Sequence, residues 1–173
     1  MCGRGPHGKW TLLGLRSKDR LTPKDGIVYD TVMARQVVID PNVFVSALRS
    51  RSGTSHRLLL LLGRADFEIN VSVSLILEYE DAAKRMAREV GLTHAGIDCV
   101  IDYICRVANR HPINFLWRPH LKDPGDDHVL ELAAQAECKY IVANNVRDFA
   151  GAERFGIRVV TPKEFIRITG EGR

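Results

Sequence analysis

The stretch VVIDPNVFVSAL, residues 37–48, constrains the fold more than any other part of the chain. It starts with three consecutive apolar, β-branched residues, which is typical of a strand buried on both faces of a parallel sheet. Asp40 and Pro41 end this run, and apolar residues then recur at helical spacing. We therefore predict a strand, a sharp turn and a helix, with the Asp40 carboxylate at the carboxyl end of the strand. In open α/β sheets, ligands bind at that end.

Strand and helix patterns alternate along the rest of the chain. Further strands are predicted at 67–72, 113–117, 140–143 and 157–160. One helix is predicted to start at Thr54 or Ser55, and a long one runs from Ser74 to Gly91. Another starts at Thr93 and ends at His111 and Pro112. The last begins with a capping box of Thr161 and Glu164 around Pro162. The pattern predicts an α/β protein with a mostly parallel five-stranded sheet, helices on both faces and right-handed crossovers.

Length, charge and cysteine content restrict the class of protein. The 173 residues are about one domain, and no apolar run is long enough to span a membrane. We expect a cytoplasmic protein, because the first residues have no apolar core like that of a signal peptide. The four cysteines form no CxxC pair. The net charge of +4 lies within residues 1–35, since the 18 basic and 18 acidic residues that follow cancel. Bulk charge thus gives no support for nucleic-acid binding.

Residues 1–34 are rich in Gly, Lys and Arg and show little periodicity. We predict that they form a disordered N-terminal extension and that residues 35–170 form the folded domain. Met33 lies directly before the first strand. An upstream start codon that adds a non-functional leader would explain both features.

Several acidic residues have an ordinary structural interpretation. Asp40 before Pro41 looks like a helix N-cap, and Asp126 and Asp127 also precede a helix. Glu78 lies near the start of its helix, where a negative charge is favourable, and Asp148 has Arg147 beside it.

The positions of these acids in the predicted sheet favour a common site. Each follows a strand or lies near the start of the next helix, so in a parallel sheet they lie along one edge. Crowded carboxylates raise one another's pKa unless a cation neutralises them. Mg²⁺ or Mn²⁺ suits such a site and supports hydrolysis of phosphodiesters.

Four segments together resemble the PIN-domain ribonucleases, most closely those described as toxins of bacterial toxin–antitoxin pairs. They are, in chain order, VVIDPNVFVSAL, LILEYE, KDPGDDHVLELA and YIVANNVRDF. The likeness extends from about residue 36 to the TPKEFI helix, and it implies a three-layer α/β/α PIN-like domain. It also implies a Mg²⁺- or Mn²⁺-dependent endoribonuclease that leaves a 5′-phosphate, is silenced by an antitoxin protein and is frequently a homodimer.

The resemblance assigns the metal-binding and catalytic acids residue by residue. Asp40 matches the first acid, Glu78 the second and Asp127 the third, with Asp126 directly before it. The fourth is Asn145 or Asp148, and we prefer Asp148 because it carries charge.

Other positions are assigned supporting roles or depart from the family. Asn42 is the usual polar companion of the first acid, and Ser46 bonds back within its helix or holds a water near Asp40. Ala143 stands where the family often has threonine. His128 is interpreted as a surface residue.

The RNA-contact candidates are four arginines near the expected site, although a solvated helix face is the more ordinary interpretation of each. They are Arg49, Arg51, Arg57 and Arg147. Two alternatives stay open: a degenerate PIN domain that only binds RNA or protein, and a PIN nuclease that processes RNA outside a toxin pair. A nucleotide-binding α/β domain is disfavoured because no Gly-rich phosphate loop follows any strand.

Overall fold

The computed structural model describes residues 34–63, 67–112 and 120–170. Within them, five strands form one sheet in the order β3-β2-β1-β4-β5, and all four neighbouring pairs are parallel. The predicted α/β class and the three-layer α/β/α architecture are confirmed. The elements are β1 (Arg35–Ile39), α1 (Pro41–Arg49), α2 (Thr54–Leu60), β2 (Phe67–Val71), α3 (Val73–Arg85), α4 (Ala87–Val90), α5 (His94–Val107), β3 (Asn109–Arg110), α6 (Asp127–Gln135), β4 (Tyr140–Val142), β5 (Arg158–Val160) and α7 (Pro162–Ile168).

Strand β1 lies at the centre of the sheet and is buried on both faces. Val37 pairs with Ile69 of β2 on one side and with Tyr140 of β4 on the other. Val37 and Val38 are fully buried, so their side chains, which point to opposite faces, are both covered. This confirms the prediction drawn from the run of β-branched residues.

The strand order changes direction between β1 and β4. The chain builds outward from β1 through β2 to β3, and then returns to place β4 on the opposite side of β1. Such a reversal leaves a crevice at the carboxyl ends of the two strands. The Asp40 backbone N–H donates to the Val142 carbonyl at 2.9 Å, which joins the strands at this crevice.

Helices cover the two faces of the sheet. On one side α1 packs against α2 and α3, and α3 packs against α5. Helix α6 packs on β1, β2 and β4. It comes between β3 and β4, where the strand order reverses, so the right-handed crossover that parallel strands favour puts it in the other layer.

Several element boundaries differ from the sequence prediction. The predicted helix from Ser74 to Gly91 is two helices, α3 and α4, with a break at Met86. Ser72 is the N-cap of α3, because its Oγ accepts from the Leu75 N–H at 3.2 Å, so the assignment of this cap to Ser74 is wrong. Helix α2 has Gly53 as its N-cap in place of Thr54 or Ser55. The capping box at the start of α7 is confirmed.

Two predictions fall largely outside the described residues. The predicted strand at 113–117 lies outside them, and the described edge strand, β3, is upstream at Asn109–Arg110. Residues 1–33 also lie outside, so the N-terminal extension and the leader remain predictions. In the described part of the chain, no helix is long and apolar enough to cross a membrane.

Candidate active site

Four acidic residues from four segments face the crevice beside β1. Asp40 follows β1 and is 3% exposed, and Glu78 lies on α3. Asp126 ends a 3₁₀ turn before α6, and Asp148 lies in a 3₁₀ turn after β4. The charges of the other three all act on the Asp40 carboxyl. We call these four residues the acid cluster.

The Asp40 carboxyl is the most perturbed acid of the acid cluster. Its pKa is raised from 3.8 to about 7, chiefly by burial and then by the charge of Asp126. The backbone N–H of Asn42 opposes this shift, while Glu78 and Asp148 add to it. Removal of carboxylates from water and crowding of like charges both disfavour the ionised form. The acid cluster thus presents negative charge that a bound cation would neutralise.

Asp126 belongs to the same group of mutually repelling acids. Partial burial raises the pKa of Asp126, and Asp123, Asp148 and Glu78 raise it further. His128 acts in the opposite direction. Asp126 and Asp40 therefore share neighbours, which makes Asp126 a functional candidate in its own right.

The Asp127 side chain is directed elsewhere. Its Oδ1 accepts from the backbone N–H groups of His120 and Leu121 at 3.1 and 2.9 Å, and its Oδ2 lies 3.2 Å from the same His120 N–H. Asp127 is buried, so these bonds replace the water that its carboxylate has lost. In this arrangement Asp127 fastens the preceding loop to α6, and the charge that acts on the Asp40 carboxyl from this segment is that of Asp126. The assignment of Asp127 as the third acid stays a prediction.

Glu78 has a partner that the sequence analysis missed. His128 Nε2 lies 2.7 Å from Glu78 Oε2, and His128 Nδ1 lies 2.7 Å from the Gly125 carbonyl oxygen. The Nε2 atom is buried, and its contact with Glu78 has the distance of an ion pair without the direction of a hydrogen bond. His128 therefore helps to fasten α6 to α3, and its interpretation as a surface residue is wrong.

Amide side chains connect the helix after β1 with the loop after β4. Asn144 Nδ2 donates to the Asn42 carbonyl at 3.1 Å and to Ser46 Oγ at 3.0 Å. Ser46 Oγ in turn donates to the Asn42 carbonyl at 2.7 Å, which is the bond within the helix that its position predicted. Asn145 Nδ2 donates to Asp148 Oδ1 at 2.6 Å, so both candidates for the fourth acidic position lie together.

Tyr79 is a supporting residue that the sequence analysis also missed. Its hydroxyl donates to the Ile39 carbonyl, directly before Asp40, and its ring stacks on Phe44 with 4.7 Å between centroids. Burial, with the charges of Asp40 and Glu78 adding to it, holds the pKa of Tyr79 well above its usual value. The hydroxyl thus stays protonated and fixes the end of β1.

We expect Tyr79→Phe to lower the free energy of unfolding by about 1–3 kcal/mol, because it removes a buried hydrogen bond to the Ile39 carbonyl. Urea unfolding measures this loss. Tyr103→Phe is a matched control: it removes a hydroxyl that donates to the Leu62 carbonyl at 2.8 Å, but at a half-buried position. A Tyr79→Phe protein as stable as the parent would contradict the assigned role.

The four arginine candidates occupy different places. Arg49 lines a groove between α1 and α3, together with Asn42, Ser46 and Asn144. Arg51 is exposed in the turn after α1, Arg57 is exposed on α2, and Arg147 is exposed in the 3₁₀ turn that contains Asp148.

The acid cluster fits a hard divalent cation by its chemistry. Carboxylate oxygens are the ligands that Mg²⁺ and Mn²⁺ prefer, and a cation would relieve the repulsion that raises the pKa of Asp40. In the described residues, no three His, Cys, Asp or Glu side chains are close enough together to hold a metal ion.

The fold and the acid cluster define an α/β/α protein with a carboxylate-lined site at the point where the strand order reverses. A comparison with known protein families matches the PIN domain over residues 36–147. The chain belongs to the PIN domain family. PIN domains are generally nucleases and typically use divalent metal ions. No match is found among curated proteins.

Proposed function

We propose that this protein is a Mg²⁺- or Mn²⁺-dependent endoribonuclease. The observation that carries the proposal is the acid cluster, in which the buried Asp40 carboxyl has a pKa raised to about 7 by burial and by the other three acids. The acid cluster lies where the strand order of this PIN-family sheet reverses. Open α/β sheets bind their ligands at such a point.

The residues of the site have distinct roles in this proposal. Asp40, Glu78, Asp126 and Asp148 would draw together to hold a cation, and Asp127 holds the loop that precedes α6. Tyr79 fixes the strand end that carries Asp40, and Asn145 orients the Asp148 carboxylate. A divalent cation held there would lower the pKa of a water and stabilise negative charge on the phosphate. Water adds to phosphorus and the 3′-oxygen leaves, which gives a 5′-phosphate and a 3′-hydroxyl.

The biological role that we propose is that of the toxin in a toxin–antitoxin pair in the cytoplasm. Its support is the resemblance of the four motifs to such toxins, which also suggests an antitoxin that covers the acid cluster and a homodimer. Co-expression with any small protein that is encoded beside the gene tests this role. A cognate antitoxin would copurify with the chain and suppress its cleavage of RNA, whereas a nuclease that processes RNA would stay active.

Cleavage of total RNA by the purified chain tests the catalytic proposal. We expect cutting with Mg²⁺ or Mn²⁺, none with EDTA, and a loss of at least about 100-fold in Asp40→Asn, since the charge stabilisation that a metal provides amounts to several kcal/mol. Asp102→Asn is the matched control, because Asp102 is an exposed acid on α5, outside the acid cluster.

Two outcomes would contradict the proposal. Equal cleavage of RNA by the parent chain and by Asp40→Asn would show that the acid cluster is not catalytic. RNA binding without cleavage under any metal would favour a degenerate PIN domain, for which Ala143 and the occupied Asp127 carboxylate are the motivating features.

A further inference from the structure

A groove of about 560 Å³ runs between α1 and α3, next to the acid cluster. Its volume is within the range of about 300–1,000 Å³ that is typical of small-ligand sites. Asn42, two residues after Asp40, lines one end, and Arg49 lines the other. These two residues are seven positions apart on α1, so the ends of the groove lie about 10 Å apart. The two ends can therefore hold different phosphates of one strand.

Two arginines lie at the far end of the groove. Arg49 and Arg85 both line it, and their side chains are more than half exposed. Each makes a surface ion pair, Arg49 Nη2 with Glu89 Oε2 at 3.5 Å and Arg85 Nη2 with Asp81 Oδ2 at 3.2 Å. Exposed pairs of this kind contribute little free energy, so a phosphate can take the place of either carboxylate.

The remaining lining combines apolar and polar surface. Val45, Ala82 and Met86 supply apolar side chains on which a base can pack. Asn144 directs its Nδ2 toward the Asn42 carbonyl and Ser46 Oγ, so its carbonyl Oδ1 is the atom that can accept from a ligand. A hydroxyl or amino group of a nucleotide is a suitable donor.

We propose that this groove binds one nucleotide of a single-stranded RNA, adjacent to the phosphate that is held at the acid cluster. The nucleotide's own phosphate contacts Arg49 and Arg85, its base packs on Ala82 and Met86, and its 2′-hydroxyl donates to Asn144 Oδ1. Unpaired RNA fits because its bases are free to leave the stack and lie on a protein surface. The assignment rests on the proposed ribonuclease function and adds the site that holds the neighbouring nucleotide.

Equilibrium binding tests the groove separately from cleavage. The full chain that carries Asp40→Asn is titrated with a fluorescent single-stranded oligoribonucleotide and with the DNA of the same sequence, at several salt concentrations. We expect Arg49→Ala with Arg85→Ala to raise the Kd for RNA at least about tenfold, as loss of charged hydrogen bonds predicts. The slope of log K against log salt should become shallower by about 0.7, because one phosphate of the single strand is no longer neutralised.

A second double variant controls for net charge. Arg88→Ala with Arg106→Ala removes the same charge from exposed positions on α4 and α5, and we expect it to leave RNA binding close to that of the parent. Asn144→Ala should weaken binding of RNA more than binding of DNA. Thermal unfolding establishes that each variant is folded.

The outcomes separate the groove from the proposed function. If the parent chain cuts RNA but the groove variant binds it as tightly as the parent, or loses no more than the control variant, the groove assignment is wrong and the ribonuclease stands. If the parent neither binds nor cuts RNA, both are wrong. An equal loss for RNA and DNA in Asn144→Ala would overturn the 2′-hydroxyl contact.

Discussion

Asp126→Asn and Asp127→Asn should have opposite effects on activity and stability, although the residues are neighbours. For Asp126→Asn we expect at least about a 100-fold loss of RNA cleavage with little change in stability, since a charge of the acid cluster is removed from a half-buried position. For Asp127→Asn we expect about 1–3 kcal/mol of lost stability, because the two bonds to Oδ1 lose their charge and an amide NH₂ group replaces Oδ2 beside the His120 N–H. Cleavage per folded molecule should stay close to that of the parent.

Urea unfolding and RNA cleavage, measured on the same preparations, check this pair. Each variant is the control for the other, because both remove one negative charge at the start of α6. A folded Asp127→Asn protein that no longer cuts RNA, beside an active Asp126→Asn protein, would reverse the assignment. It would restore Asp127 as the third acid, as the resemblance to PIN-domain ribonucleases implies.

The choice between these two aspartates shows where sequence reasoning reaches its limit. Both precede the same helix and both fit the family motif. A step of one residue on a helix turns a side chain by about 100°. Which one faces Asp40 depends on the backbone of residues 120–121, whose N–H groups donate to Asp127. The local sequence predicts only a loop there and gives no sign of these bonds. The sequence could therefore predict an acid at this place but not its identity.

Features set by neighbouring residues were predictable, and features set by distant contacts were not. The buried β1, the turn at Asp40 and Pro41, and the capping box of α7 all follow from local patterns. The contact between His128 and Glu78 joins residues 50 positions apart, and no local pattern in either segment predicts it. The same holds for the bond from Tyr79 to Ile39.

The edge strand illustrates a second limit. β3 consists of Asn109 and Arg110, which carry no apolar pattern that could identify a strand. Its position depends on polar contacts with its neighbours: Asn109 Nδ2 donates to Gln36 Oε1 and to Glu68 Oε2, both at 3.1 Å. Hydrophobic periodicity predicts a strand at residues 113–117, which lie outside the described residues, and gives no signal for Asn109 and Arg110.

Asp40→Asn should stabilise the protein in the absence of divalent metal at about pH 8, while it abolishes cleavage. The pKa of Asp40 is about 7 in the folded state and near its ordinary value of 3.8 in the unfolded chain. The folded state therefore binds the proton more tightly, and stability is lost as the pH rises from about 3.8 to about 7. The complete shift corresponds to about 4 kcal/mol, an upper limit because neighbouring carboxylates and water relax.

Thermal unfolding over this pH range, in EDTA and in Mg²⁺, measures the effect. We expect Asp40→Asn to unfold at a higher temperature than the parent above about pH 7, and the difference to vanish below about pH 4. Because a cation favours the ionised carboxylate, Mg²⁺ should raise the unfolding temperature of the parent at alkaline pH and should do so far less in Asp40→Asn. Asp81→Asn, an exposed acid outside the acid cluster, should change neither response. If the parent and Asp40→Asn showed the same pH dependence and the same response to Mg²⁺, Asp40 would be neither a strained carboxyl nor a metal ligand. The proposed metal site would then lack the carboxylate on which the other three acids converge.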